Sequence, residues 1–123
     1  MKTVHTEQAP KALGPYSQAI VANGFVFISG QGGIDPATGT LQDGVEAQTL
    51  QAMKNIEAIL KEAGTDFSKV VKTTCFLADI NDFAKFNAIY ADYFTSKPAR
   101  SCVAVKELPA NFQVEVEVIA VVD

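Results

Sequence analysis

Gln113-Val114-Glu115-Val116-Glu117-Val118-Ile119-Ala120-Val121-Val122, close to the C-terminus, is the stretch on which the fold turns. Successive side chains of a strand point to opposite faces. One face of this segment carries Val114, Val116 and Val118; the other carries Glu115 and Glu117, then Ile119 and Val121. A strand that is apolar on both faces at its far end needs cover on both sides. Working back along the chain, residues 101–108 read as a strand joined to the last one by a Pro109-Ala110-Asn111 turn. Before them lies a helix predicted to start at Asp79 or Asn81 and to end ahead of Pro98. Its Phe83, Phe86, Ile89, Tyr90, Tyr93 and Phe94 form one stripe, a core face. Residues 70–78 (VVKTTCFLA) are β-branched and read as a strand. An earlier helix takes Asp43 as N-cap with Glu46 three residues on, repeats Leu50, Met53, Ile56, Leu60 and Ala63 at helical spacing, and stops at Gly64. Residues 32–44 hold Asp35-Pro36 and Thr38-Gly39 and read as a loop. Residues 17–22 and 25–29 flank Asn23-Gly24, the strongest short-range hairpin signal. A short strand over residues 2–6 heads the chain.

The order is therefore β-β-α-β-α-β-β, an α+β fold in one domain over residues 1–123, with a mixed, mainly antiparallel sheet and two helices on one face. The helices leave the other sheet face open. An apolar face left uncovered implies a partner, and a second copy of the chain is the economical one.

Composition narrows the function. Ten Lys plus Arg against fourteen Asp plus Glu give 123 residues a formal net charge of −4. That balance counts against a phosphate-tracking nucleic-acid binder. Cys75 and Cys102 are too few for the disulfide framework of a secreted domain, and no run reaches the length of a signal peptide core or membrane span. The reading is a reduced, cytoplasmic protein with no membrane partner. His5 is the one histidine, expected on the surface, and no CxxC or HExxH spacing supports a metal. Ser29-Gly30-Gln31-Gly32-Gly33 matches neither phosphate-cradling glycine pattern, so no nucleotide cofactor is indicated. Cys75 reads as a small buried hydrophobe.

Chemistry concentrates in the last third. Arg100 sits at the mouth of a strand, and Glu115 and Glu117 share one strand face. Two consecutive strands can bring a guanidinium and a carboxylate together at an oligomer seam. The guanidinium fork suits a carboxylate, and a half-buried glutamate can hold a water and move its proton. Such a pair suits a small carboxylic acid that reacts with water.

These residues also carry a resemblance. Gly14-Pro15-Tyr16-Ser17-Gln18-Ala19, Ser29-Gly30-Gln31, residues 71–76 (VKTTCF), Asn87-Ala88-Ile89-Tyr90, and Pro98-Ala99-Arg100-Ser101-Cys102-Val103 through Val114-Glu115-Val116-Glu117 resemble the Rid (YjgF) family, closest to its Rid A branch of 2-iminobutanoate/2-iminopropanoate deaminases. The resemblance implies a chorismate-mutase-like fold, a homotrimer with sites between subunits, and no cofactor or metal. It implies hydrolysis of 2-imino acids released by pyridoxal-phosphate dehydratases. Arg100 would clamp the substrate carboxylate and Glu115 would position the water. Tyr16, Ser29, Asn87 and Cys102 would line the pocket, with the Gly30 carbonyl near the imine nitrogen. Glu117 is expected to be structural. The loop Gly32-Gly33-Ile34 departs from the family, whose members commonly carry an apolar residue and a proline there, and the segment between Phe94 and Pro98 is short. Endoribonuclease or translation-inhibitor activity, also attributed to the family, and a non-catalytic metabolite-binding or holdase-like module are the rival readings.

Overall fold

Asn23 and Gly24 turn the chain with φ of 51° and 81°, both in the left-handed region that this tight hairpin needs. The computed structural model describes residues 1–122. Its elements, in chain order, are β1 (Lys2–Val4), β2 (Ala19–Ala22), β3 (Phe25–Gln31), β4 (Ile34–Asp35), β5 (Thr40–Leu41), α1 (Val45–Glu62), β6 (Val70–Leu77), α2 (Phe83–Tyr93), β7 (Ala99–Ala104) and β8 (Val114–Val121). Six strands make one sheet in the order β1-β2-β3-β8-β6-β7; β4 and β5 pair separately as a small hairpin within the expected loop. All pairings are antiparallel except β6 with β7. Among the described residues no helix is long and apolar enough to cross a membrane.

The α+β class, the mainly antiparallel mixed sheet and the two helices agree with the sequence reading. The pairing of the last two strands does not. The expected joining of residues 101–108 to residues 113–122 is replaced by an arrangement in which β6 lies between β7 and β8. A parallel neighbour can be reached only by a crossover, and α2 is that crossover from β6 to β7. The following residues then pass over the end of β6: Val105 N–H donates to the Leu77 carbonyl (2.9 Å) and Ala78 N–H to the Gln113 carbonyl (3.0 Å). β7 stops at Ala104, an edge strand, while β8 runs through the centre.

The helix-facing side of the sheet supplies Val26, Ile28, Cys75, Leu77, Val114, Val116, Val118 and Ala120, all buried. Against it lie Met53, Ile56 and Ile59 from α1 and Phe86 and Tyr90 from α2, in one core cluster. Each such large apolar side chain contributes about 1.5–3 kcal/mol. The expected α1 stripe holds at Met53, Ile56 and Leu60, which are buried, and fails at Leu50. Leu50, about 120° round the helix from Ile56 at 100° per residue, is 39% exposed, and Thr49, Ala52 and Asn55 take the inner positions. Nor does Asp43 cap α1. Gly44 holds the N-cap position with φ 90° and ψ 154°, a conformation only glycine takes readily, which puts Asp43 one residue outside. The other end is as expected: Gly64 (φ 83°) closes the helix, with Gly64 N–H donating to the Lys61 carbonyl and Thr65 N–H to the Leu60 carbonyl. Asp79 caps the short 3-10 turn that leads into α2, accepting from Asn81 N–H at 2.9 Å.

The opposite sheet face carries Phe25, Phe27, Phe76, Val103, Ile119 and Val121. Phe25, Phe27 and Val103 are 38%, 44% and 46% exposed. Register brings Phe27 opposite Ile119 and Phe25 opposite Val121, so these side chains form a continuous apolar area.

Candidate active site

A groove of about 520 Å³ opens where β3 loses register with β8, between Ile28 and Gln31. Tyr16, Gly30, Gly32, Phe112 and Glu115 are among its lining residues. Gly30 is required there. A Cβ at this position would fall under 3.0 Å from three atoms of the Glu115 side chain, so only a glycine lets the carboxylate lie against the main chain. Burial, and secondarily the charge of Glu117, pushes the Glu115 carboxyl above the ordinary carboxylate value. A carboxylate with a raised pKa is the stronger base.

The surrounding wall is held by polar side chains that sequence reasoning did not pick out. Gln18, buried, clamps the N-terminal loop: its Oε1 accepts from Thr6 N–H (2.8 Å), and its Nε2 donates to the carbonyls of Thr6 (3.1 Å) and Pro10 (2.9 Å). Asn55, also buried, donates from Nδ2 to the carbonyls of Gly32 (3.1 Å) and Ile34 (2.9 Å). The signal available was a polar residue within an apolar stripe, since buried amides are kept where they satisfy backbone groups. Ser29 serves the same end. Its hydroxyl donates to the Ser17 carbonyl (2.6 Å), which ties β3 to the turn that presents Tyr16, itself 55% exposed.

Arg100, Asn87 and Cys102 form a second cluster. Arg100 and Cys102 lie on β7 in register with Thr73 and Cys75, whose side chains are buried on the helix side. The guanidinium stands over the Tyr90 ring at 4.6 Å and near the Phe83 ring at 5.5 Å, and its Nη1 donates to Asn87 Oδ1 at 2.6 Å. Phe83, Asn87 and Tyr90 recur at i, i+4 and i+7 on α2, so one helix face makes the platform. Tyr90 is fixed in turn by a 2.7 Å hydrogen bond between its hydroxyl and Thr73 Oγ1. Among the described residues no carboxylate pairs with Arg100; His5 pairs with Glu7 on the surface, where His5 was expected. The guanidinium therefore has donors to spare for an anion. Asn87 contacts the guanidinium, so within the chain it is a positioning group for Arg100.

The cysteines offer little nucleophilicity. Burial pushes the Cys75 thiol up to about 12 and raises Cys102 as well. Cys75 is fully buried, as expected of a small hydrophobe. Among the described residues no group of three or more His, Cys, Asp and Glu side chains is placed to hold a metal ion.

The two clusters do not meet within one chain. Glu115 is opposite Phe76, between two pairs whose side chains are buried towards the helices, so it projects from the open face. Arg100 projects from the helix face at the sheet edge, with β6 intervening. Sequence reasoning expected two consecutive strands to bring them together at an oligomer seam; β7 and β8 are not neighbours in the sheet, and within one chain the two groups stand apart.

Residues 6–122 match the family model described as Endoribonuclease L-PSP. The chain is 51% identical over 122 residues to the mouse 2-iminobutanoate/2-iminopropanoate deaminase, covering 98% of this chain and 90% of that one. It superposes on the crystal structure of YyfA, a Rid-family protein of Yersinia pestis, with a TM-score of 0.95, 51% identity and 98% of each chain covered. The structure of Escherichia coli TdcF with bound serine superposes equally well, with a TM-score of 0.95, 38% identity and both chains covered completely.

Proposed function

This chain belongs to the endoribonuclease L-PSP family, that of the Rid and YjgF proteins, and from that premise we propose that it is a cofactor-independent deaminase of 2-imino acids. The substrates are 2-iminobutanoate and 2-iminopropanoate, released by pyridoxal-phosphate dehydratases, and the products are 2-oxo acids and ammonia. The observation that carries the reading is Arg100: a guanidinium on an aromatic platform, held by Asn87 and unpaired with any described carboxylate. It is built to receive a small carboxylate. The mouse relative's name and the serine bound to TdcF support a small, amino-acid-like ligand.

Arg100 takes the substrate carboxylate bidentately and fixes C2 of the imine. The Gly30 carbonyl accepts a hydrogen bond from the iminium N–H, and Tyr16 and Cys102 enclose the substrate, Cys102 through its backbone. Glu115 accepts a proton from water as its oxygen bonds to C2. Glu115 returns that proton to the carbinolamine nitrogen, and as the C–N bond breaks the hydroxyl gives up its own proton through Glu115 to the departing ammonia, which leaves as ammonium. The sum is R–C(=NH2⁺)–COO⁻ plus H2O giving R–CO–COO⁻ plus NH4⁺. A protonated imine is already electrophilic, so orientation and one base suffice.

Since Arg100 and Glu115 leave opposite faces of one chain, the working site lies between copies. The assembly is a homotrimer closed through the apolar sheet face, each site taking Arg100 from one subunit and Glu115 from its neighbour. The test couples threonine dehydratase to the protein and follows 2-oxobutanoate while semicarbazide competes for the imine. Arg100→Ala and Glu115→Gln each abolish acceleration, and subunits of the two variants, mixed and reassembled, regain it. A single monomeric species by light scattering, or no recovery on mixing, refutes the shared site. RNA cleavage is the activity in the family's description; a net charge of −4 opposes it. RNA turnover lost in Arg100→Ala, without imine hydrolysis, would favour it instead.

A further inference from the structure

We propose that Phe112, seated on Gly32, sets the length of the substrate side chain that the groove accepts. The inference deepens the proposed imine hydrolysis and rests on it.

Gly32 and Phe112 are fitted to one another. A Cβ on Gly32 would fall under 3.0 Å from three atoms of the Phe112 ring, so the ring occupies the space that any other residue would fill. Two residues earlier, Gly30 makes the same allowance for Glu115. One short run of β3 and its exit thus receives the reacting carboxylate and an aromatic ring side by side, and all four residues line the same groove.

The ring is also held. Phe112 leaves the Pro109–Asn111 turn, where Ala110 and Asn111 take left-handed φ of 55° and 60° and Phe112 N–H donates to the Pro109 carbonyl at 3.1 Å. The next residue is clasped to α1: Gln113 N–H donates to Gln48 Oε1 (2.8 Å), and Gln48 Nε2 donates to Gln113 Oε1 (3.0 Å). The seat is tied to the same helix, through Asn55 on the Gly32 carbonyl and through Gly33, which packs against the Gln48 backbone. Ring and seat cannot separate without disturbing α1. A fixed apolar wall discriminates size; a mobile one adapts.

The chemistry assigns the rest. With the substrate carboxylate on Arg100 and C2 beside Glu115, the remaining substituent is the aliphatic side chain. It needs an apolar surface next to Glu115, and the Phe112 ring provides it. The ring admits side chains of one or two carbons and blocks longer ones.

An amino acid oxidase generates the imines of alanine, 2-aminobutanoate, norvaline and norleucine in place, and kcat/KM is measured for each. In Phe112→Ala the norleucine-to-alanine ratio of kcat/KM rises at least about tenfold, as expected when a hydrophobic pocket gains room for added methylenes. Phe112→Leu, which keeps the volume closer to the original, shows a smaller rise and decides the matter if the alanine variant does not fold. A ratio within threefold of wild type in a folded variant, whether or not both rates fall, overturns the proposal. A wild-type protein that hydrolyses none of the four imines overturns the parent reading, and this inference with it.

Discussion

Replacing Arg100 with lysine keeps the charge and removes the geometry, so it isolates what the aromatic platform and the Asn87 contact are for. The guanidinium is half-buried, 4.6 Å from the Tyr90 ring centre, with Nη1 already committed to Asn87 at 2.6 Å. Its remaining donors form the fork that holds two carboxylate oxygens. A lysine reaches one oxygen as a point charge and gives up the second charge-assisted bond, about 1.5–3 kcal/mol. At 1.36 kcal/mol per tenfold, kcat/KM falls roughly 10- to 150-fold. Because carboxylate binding is shared by ground and transition states, most of the loss is in KM. Folding stability changes by no more than about 1 kcal/mol, the weight of an exposed cation–π contact, since no described carboxylate depends on Arg100. The assay is semicarbazide competition with the imine from threonine, run beside thermal unfolding and light scattering. A change in kcat/KM below threefold with the assembly intact, or a loss confined to kcat, would refute the carboxylate clamp.

Other outcomes follow from the same geometry. Glu115→Gln lowers kcat about 10²- to 10⁴-fold with KM nearly unchanged, as the loss of a general base requires; steady-state kinetics separate the two constants. Because burial and Glu117 raise the Glu115 pKa, the acid limb of wild-type kcat/KM lies above the usual carboxylate value, and Glu117→Gln moves it to lower pH. The sign for stability is opposite to that of a salt-bridged carboxylate: this group's contribution is present at low pH and lost as pH rises through its folded value. Glu115→Gln therefore unfolds at a higher temperature than wild type at pH 7, and the difference vanishes below about pH 4. Asn55→Ala strands the buried carbonyl contacts of Gly32 and Ile34 and costs about 2–4 kcal/mol, measurable by denaturant titration with an unchanged m-value. Ala110→Gly relieves a left-handed alanine and raises stability by about 0.5–1 kcal/mol in the same titration; a loss would mean that the turn is not strained.

The parts of the fold that depend on neighbouring residues were legible in the chain. Asn23-Gly24 makes its hairpin, Gly64 ends α1, Asp79 starts the turn into α2, and Phe86 and Tyr90 fall on the core side of their helix, because each outcome rests on local φ/ψ preference or on 3.6-residue spacing. Which strands become neighbours rests on neither. β8 is apolar on both faces at its end, which fits a central strand as well as a hairpin partner with one face uncovered; the α2 crossover decided the matter by placing β7 beside β6. The same holds at the candidate site. The residue types at Arg100 and Glu115 are those that a carboxylate clamp and a base would use. That the two leave opposite faces, that Phe83, Asn87 and Tyr90 form the platform under Arg100, and that Gly30 and Gly32 make room for Glu115 and Phe112, all depend on contacts between segments distant in sequence. Side-chain chemistry is carried by each residue alone, while proximity is set by packing, so only the tertiary structure could say which of these groups face one another.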